Sequence, residues 1–219
     1  DFEIPCVGGK VSLYNETSDG PIKPTPVIGV IGLIDKKPLK IQKINSGESL
    51  IMIGDTKDEL GGSEYSEYIH KFIGGKCPAV DFSESKKNMN SVLDIIENEL
   101  IKSAHDCSKG GLAIAISELC MINQIGCNVS LEKIPGEKLD SDKILFSESH
   151  SRYLLTIENK NLPKLEETMK KHNVSYSLIG EFTGNSICFT RDSKPIIDLS
   201  VDKAQNTWYN SLREMVLHA

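Results

Sequence analysis

Residues 104–120 of this chain read AHDCSKGGLAIAISELC, and they contain its most apolar helical segment. From Leu112 to Ile122 the apolar residues fall on nearly every side of a helix, which predicts a helix buried over most of its surface. Such a helix needs other elements packed around it. Short strand-like runs occur both before and after it in the sequence, so we expect it inside a fold that mixes helices and strands.

The other predicted elements follow one another without a regular strand–helix–strand period. A short buried strand is predicted at 49–53, where the sequence SLIMI ends at a glycine. Further strands are predicted at 128–131, 144–157, 176–181, 187–190 and 196–199, and further helices at 63–72, 90–102, 162–172 and 202–218. This irregular order predicts an α+β (mixed α/β) fold class.

The first 36 residues have a different pattern, with strand-like runs and no helix of their own. The runs are 4–7, 11–15 and 25–34, and Gly8-Gly9 and Asp19-Gly20-Pro21 separate them as turns. We therefore expect residues 1–36 to be part of a sheet that further chain completes. Since the sequence begins with Asp1 and not with Met, we also expect it to be a piece of a longer protein.

Composition excludes several classes of function. The 219 residues carry a net charge of −6 with a pI near 5.4 and no basic stripe, which argues against a nucleic-acid backbone as ligand. The longest apolar run, residues 27–34, is far too short to span a membrane. The six cysteines lack metal-site spacing and several lie among apolar residues, as reduced thiols of cytoplasmic proteins do. A small anionic ligand is compatible with such a chain.

The segment before the buried helix has two interpretations. Gly110 and Gly111 would let an anion approach the free N–H groups at the helix start, where the helix dipole favours negative charge. Alternatively, Asp106 or Ser108 caps the helix and the glycines allow close packing. His105 by itself does not indicate a catalytic base.

Residues 145–153 read LFSESHSRY and are also open to two interpretations. On a strand, Glu148, His150 and Arg152 would share one face, since side chains alternate between the faces of a sheet. Such a row of titratable groups could bind a ligand. It could equally be a solvated face on which Glu148 pairs with Arg152.

Two further glycine motifs suggest turns. Gly8-Gly9-Lys10-Val11-Ser12 is not a P-loop, because strand-favouring residues follow it where a P-loop begins a helix. It predicts a glycine turn between strands, with Lys10 and Ser12 on one side. The second motif, LGGSEY at 60–65, could be a phosphate-binding turn, but a capped helix start is the simpler interpretation.

Taken together and in order, five strings resemble the C-terminal half of the phosphoribosylformylglycinamidine synthase family. The resemblance covers essentially the whole chain and is closer to the short, multi-subunit form of that enzyme. The strings are GGKVSLYNET at 8–17, PTPVIGVIGLI at 24–34, LGGSEY at 60–65, AHDCSKGGLAIAISE at 104–118 and LFSESHSRYLL at 145–155.

The resemblance implies a fold like that of the aminoimidazole ribonucleotide synthetase superfamily. Residues 1–36 would be the tail of an N-type sheet domain, and residues 37–219 a whole C-type α+β domain. The implied activity is the ATP-dependent, carbon–nitrogen-forming conversion of formylglycinamide ribonucleotide to its amidine in purine biosynthesis, with Mg²⁺ as metal. The implied partners are the missing N-terminal half, a glutaminase subunit and a small accessory subunit, all in the cytoplasm.

The resemblance also implies roles for individual residues. In the family the first motif reads Gly-Gly-Asn-Val-Ser, so Gly9 would lie against ATP and Ser12 would meet the substrate. Lys10 stands where the family has its metal-binding asparagine, and an ammonium group cannot ligate Mg²⁺. Either a metal site is lost, or Lys10 supplies charge to the nucleotide phosphates.

A second set of residues would line an auxiliary phosphate site, and no catalytic residue is expected in this chain. The auxiliary set is His105, Asp106, Ser108, Gly110, Gly111, Glu148, His150 and Arg152. Two alternatives to a piece of this ligase remain. One is a non-catalytic nucleotide- or phosphate-binding scaffold, and the other is a different member of the superfamily, such as aminoimidazole ribonucleotide or selenophosphate synthetase.

Overall fold

A computed structural model describes residues 2–11, 15–22, 25–34 and 43–217 of the chain. The chain divides into two units, Asp1–Pro38 and Leu39–Ala219. The sequence predicted a boundary after residue 36, close to this division. The assignment of the first unit to an N-type sheet domain stays a prediction.

In the first unit, two short strands form an antiparallel pair. Strand β1 (Glu16–Thr17) pairs with β2 (Gly20–Pro21) around a turn at residues 18 and 19. The strands predicted at 4–7 and 25–34 are not formed, and residues 12–14 of the predicted strand 11–15 lie outside the described residues. A strand is stable only where a neighbouring strand takes its backbone hydrogen bonds. The side chain of Ile31 is 99% exposed, so nothing covers that run in this unit.

The second unit contains a seven-stranded sheet and six helices among its described residues. The strands are β3 (Ser49–Ile53), β4 (Ser103–Asp106), β5 (Cys127–Ser130), β6 (Tyr153–Ile157), β7 (Tyr176–Phe182), β8 (Ser186–Arg191) and β9 (Lys194–Ser200). The helices are α1 (Glu64–His70), α2 (Phe82–Glu97), α3 (Gly111–Asn123), α4 (Ser141–Phe146), α5 (Leu162–His172) and α6 (Val201–Leu217).

The strand order in this sheet is β4-β6-β3-β7-β5-β8-β9. Neighbouring strands are antiparallel except for β5 and β8, which are parallel. A mostly antiparallel sheet that also carries helices between its strands is the α+β class, so the predicted fold class is confirmed.

The sheet separates two hydrophobic cores, and β3 shows how. Leu50 and Met52 contact a core that contains residues of α3, α4 and α6. Ile51 and Ile53 point the other way, into a core that contains residues of α2 and α5. Because every residue of β3 is buried, helices cover both faces of the sheet at its centre. The buried helix predicted from Leu112 to Ile122 is α3, which lies in the first core.

The predicted strand at 144–157 is wrong over its first half. Residues 141–146 form α4, residues 147–152 form an irregular turn with a bend at 150 and 151, and only Tyr153–Ile157 is a strand. The turn is closed by Arg152, whose guanidinium donates hydrogen bonds to the carbonyl oxygens of Ser147 and Ser149. These contacts curl the chain before it enters the sheet.

Candidate functional site

One end of the sheet carries the loops that hold most of the predicted auxiliary residues. Strand β3 ends at Ile53, which lies opposite Tyr153 at the start of β6 and Tyr176 at the start of β7. Strand β4 ends at Asp106, which also lies opposite Tyr153. The loop after β4 leads into α3, and the loop before β6 contains Glu148.

Glu148 lies at the start of α3. Its Oε1 accepts a hydrogen bond of 2.9 Å from the backbone N–H of Gly110, the residue that precedes the helix. The same oxygen accepts a second hydrogen bond of 2.9 Å from the backbone N–H of Glu64, the first residue of α1. A carboxylate is a strong acceptor for N–H groups at a helix start, where the dipole favours negative charge. A protein carboxylate thus takes the place that an anion would occupy in one of the two interpretations of the sequence.

The two glycines are required by close packing. Both have positive φ, of 78° for Gly110 and 68° for Gly111. A Cβ atom on Gly111 would lie 2.6 Å from the carbonyl oxygen of Ser147, a distance that real Cβ atoms do not reach. The close-packing interpretation of this pair is therefore confirmed by the geometry.

The capping interpretation of Asp106 and Ser108 is wrong, because the N-cap residue of α3 is Gly110. The Ser108 hydroxyl donates to the Asp106 carboxylate instead. This hydrogen bond holds the pKa of Asp106 below its usual range. The pair is exposed beside the loop that enters α3.

Arg152 holds the loop that carries Glu148, and it is only 1% exposed. Besides the two carbonyl oxygens of the turn, its NH1 group donates to the hydroxyl of Thr56 at 3.1 Å. Burial lowers its pKa, although a guanidinium stays charged at neutral pH. Its side chain is fully used in holding the loop, so it does not face a ligand.

The structure separates the two histidines from this cluster. His105 lies on β4, and its Nε2 is 3.2 Å from Oε2 of Glu118 in the middle of α3. It lines a cavity of about 210 Å³ that Trp208 and Tyr209 of α6 also line. His150 is exposed in the turn before β6.

The predicted row of Glu148, His150 and Arg152 on one strand face is consequently wrong. These residues lie in the turn and not on a strand, so their side chains do not alternate between two faces. Glu148, Gly110, Gly111 and Arg152 come together around the start of α3. An auxiliary phosphate role for the predicted set stays a prediction, and it would require a phosphate to displace the Glu148 carboxylate.

The motif LGGSEY forms a capped helix start, as predicted. Ser63 is the N-cap residue of α1, and its hydroxyl accepts a hydrogen bond of 3.2 Å from the backbone N–H of Ser66. The backbone N–H of the next residue, Glu64, and that of Gly110 before α3 bind the same carboxylate oxygen of Glu148. The sequence did not indicate this contact, because the partners are far apart in the chain.

In the first unit, Gly9 and Lys10 are exposed. A Cβ atom on Gly9 would meet no atom within 4 Å, so this backbone has room for a ligand to approach. Ser12, the predicted substrate contact, lies outside the described residues.

Lys10, at the position that the family uses for a metal ligand, does not fit a Mg²⁺ ion. Across the described ranges, no group of three or more His, Cys, Asp or Glu side chains is arranged to hold a metal. Lys10 offers three N–H donors and no acceptor for a cation. In the same ranges, no helix combines the length and the apolar character needed to cross a membrane.

Comparison with known proteins places this geometry in a family. Residues 45–191 match the family described as AIR synthase related protein, C-terminal domain. Curated relatives carry the name phosphoribosylformylglycinamidine synthase subunit PurL. The protein of Alkaliphilus metalliredigens is 34% identical over 97% of this chain, which spans 29% of that protein. The protein of Methanocaldococcus jannaschii is 37% identical over 98% of this chain and 30% of its own length.

Solved structures share the fold. T. maritima PurL in complex with FGAR matches 76% of this chain and 29% of its own chain, with a TM-score of 0.68 and 19% identity. T. maritima PurL in complex with ATP gives a TM-score of 0.62 over the same share of this chain and 27% of its own, also at 19% identity. E. coli HypE, a hydrogenase maturation protein, matches 75% of this chain and 51% of its own, with a TM-score of 0.53 and 14% identity.

Proposed function

Because the chain belongs to the AIR synthase related proteins and contains their C-terminal domain, we propose that it works as part of a phosphoribosylformylglycinamidine synthase. The proposed reaction is the ATP-dependent conversion of formylglycinamide ribonucleotide to its amidine. ATP phosphorylates the amide oxygen of the substrate, and ammonia then displaces the phosphate. The enzyme's contribution to such a reaction is largely positioning and charge stabilisation.

The observation that carries the proposal is the similarity to the PurL subunits along nearly the whole chain. This chain spans about 30% of those relatives. The remaining 70% would supply the catalytic groups, since we assign none to these residues. The same reasoning makes the glutaminase and the small accessory subunit proposed partners, and the cytoplasm the proposed location.

The proposed part of this chain is one wall of the ATP and substrate site. The open backbone of Gly9 would lie against ATP, and Lys10 would place its ammonium near the nucleotide phosphates. Ser12 would contact the substrate by its hydroxyl. Carboxylates outside these residues would hold Mg²⁺, because the ammonium of Lys10 cannot ligate a cation.

A chimera tests the proposal. This chain would replace the aligned stretch of the Alkaliphilus metalliredigens subunit, and ADP formation would be measured with ATP, Mg²⁺, ammonium and formylglycinamide ribonucleotide. We expect substrate-dependent turnover, with the unaltered subunit as control. A folded chimera that binds ATP without turnover would favour a scaffold module. A folded chimera that neither binds nor turns over ATP would contradict both functions.

A further inference from the structure

The motif LGGSEY begins a segment that leaves the body of the second unit and returns at one point. The backbone N–H of Gly62 donates to the carbonyl oxygen of Gly74 at 2.8 Å. A Cβ atom on Gly61 would lie 2.1 Å from the carbonyl oxygen of Lys76, so the two ends pass in direct contact. Just below, Oε1 of Glu59 accepts a hydrogen bond of 2.8 Å from the N–H of Ala79. Residues 61–75 therefore form a loop with a narrow neck of glycines.

The body of this loop has little hydrophobic attachment. Helix α1 contains no buried residue. Tyr68 is 74% exposed and Phe72 is 57% exposed, and Ile69 and Ile73 are similarly open. Since burial of apolar area is the main force that fixes an element to a domain, this loop must be held by other contacts.

Those contacts converge on the start of α3. The Glu64 N–H donates to Glu148, and the Glu64 carboxylate lies 2.8 Å from the ammonium of Lys109. The ring of Tyr65 stacks on that of Phe146 with centroids 4.7 Å apart. The Lys109 pair is mostly exposed and contributes little, because water screens it. Glu148 is the partly buried, charge-assisted contact among them.

Hydrogen bonds fix the backbone around Glu148 to the rest of the domain. Its backbone N–H donates to the carbonyl oxygen of Glu59, and its carboxylate also holds Gly110. The carbonyl oxygens on either side of it, of Ser147 and Ser149, are bound by buried Arg152. One carboxylate fixed to the domain thus joins the loop 61–75 to α3.

We propose that residues 61–75 are a lid hinged at its glycine neck, and that Glu148 is the latch that holds this lid beside the start of α3. The lid can open at its neck because its two ends meet there and no buried residue of α1 attaches it to the domain. Opening releases the latch, the tyrosine stack and an exposed ion pair, while the hydroxyls of Ser63 and Ser66 bond to the carbonyl oxygen of Leu60 beside the neck. This device is independent of the proposed reaction.

Hydrogen exchange of Glu148→Ala tests the latch. The amides of Glu67 and Phe72 bond inside the lid, to the carbonyl oxygens of Ser63 and Ser66, and do not touch Glu148. We expect both to exchange about ten-fold faster in the variant, because a helix of seven residues that is released from α3 no longer holds its internal hydrogen bonds. Glu132→Ala is the matched control, since Glu132 also accepts a backbone N–H, that of Asp192, but has no contact with the lid.

Three results would overturn the proposal. The first is faster exchange at Glu64 alone, which would show only a lost hydrogen bond. The second is unchanged exchange at Glu67 and Phe72. The third is an equal rise in the middle of α3, at Ile116, which would show that the whole domain is destabilised. If Glu148→Ala does not fold, the same measurement is made on Glu148→Gln. The amide oxygen of glutamine is a weaker hydrogen-bond acceptor than a carboxylate. The amides of Glu67 and Phe72 should then exchange about three-fold faster, and that of Ile116 at an unchanged rate.

Discussion

At the scale of single residues, the chemistry of the candidate site depends on which partner meets the start of α3. The sequence predicted that Gly110 and Gly111 allow a close approach, and left open whether a ligand or the protein itself approaches. In the structure the groups that approach the two glycines belong to Ser147 and Glu148, which lie more than 35 residues further along the chain. Local patterns report the conformational freedom of a glycine but not the distant residue that uses it.

Gly111→Ala should lower the free energy of unfolding by about 3 kcal/mol or more. The new methyl group would combine a strained positive φ with overlap on the Ser147 carbonyl oxygen. Gly184→Ala is the control, since Gly184 has a φ of 65° but no atom within 4 Å of an added Cβ. It should cost only about 1 kcal/mol. Urea denaturation followed by circular dichroism measures both, and equal losses would refute the packing role of Gly111.

Cys107 should resist alkylation in the folded protein. Burial raises the pKa of this thiol to about 11, so at pH 8 roughly one molecule in a thousand carries the reactive thiolate. Iodoacetamide at pH 8 should label the exposed thiols of Cys6 and Cys77 first, and Cys107 only after unfolding in urea. Peptide mass spectrometry gives the extent at each position. Labelling of Cys107 in the native state at the rate of Cys77 would contradict its burial.

Gly9→Val should weaken ATP use in the chimera without unfolding it. An added Cβ atom meets no neighbour within 4 Å at this position, but the valine side chain would stand where ATP is proposed to approach the backbone. We expect the KM for ATP to rise about ten-fold or more, at an unchanged melting temperature. Gly32→Val, also free of neighbours, should leave the KM unaltered. An unchanged KM in Gly9→Val would remove Gly9 from the proposed site.

At the scale of elements, hydrophobic periodicity predicted the second unit well and its connections poorly. Helix α3, strand β3 and helix α5 lie within a residue or two of their predicted positions. The strand predicted from 144 failed because its first residues pack as a helix on α3 and because Arg152 closes the turn that follows. The helix predicted from residue 90 begins at Phe82, where the Asp81 carboxylate caps it by accepting from the N–H of Glu84. Hydrophobic periodicity does not predict such contacts, because they join residues that are distant in the sequence or depend on a single capping side chain.

The pairing of α2 with α5 should depend on pH through Asp94. Its carboxylate accepts from Lys171 at 2.7 Å and lies 2.9 Å from Nε2 of His172. The Lys171 contact, followed by the His172 contact, holds the pKa of Asp94 below its usual value. A folded-state pKa below the unfolded one stabilises the protein above the usual aspartate pKa of about 4, and this stability is lost as the pH falls further.

Asp94→Asn should therefore lower the melting temperature by about 2 °C at pH 7, since partly exposed ion pairs contribute little. The difference in melting temperature from the unaltered protein should shrink as the pH falls below the usual aspartate pKa of about 4 and Asp94 becomes protonated. Glu166→Gln, an exposed change on the same helix α5, should have no such pH-dependent difference. If Asp94→Asn lowers the melting temperature as much at pH 3 as at pH 7, the charge of Asp94 is not responsible for the loss of stability.

At the scale of the whole molecule, the sequence predicted two regions of different character, and the fold class of the second is confirmed. The first unit differs most from expectation, since its predicted strands at 4–7 and 25–34 lack partner strands among the described residues. The sequence pattern of a segment shows that it can form a strand, but the hydrogen bonds of the strand need a second chain segment beside it. The relatives are more than three times as long as the aligned region, so the proposed enzyme needs chain that these 219 residues do not contain.

The most direct test of this account compares the isolated chain with the chimera in one assay. Both would receive ATP, Mg²⁺, ammonium and formylglycinamide ribonucleotide, and substrate-dependent ADP formation would be followed over time. We expect turnover by the chimera and none above background by the isolated chain, because the chain supplies only one wall of the proposed site. Turnover by the isolated chain at the rate of the chimera would contradict this account.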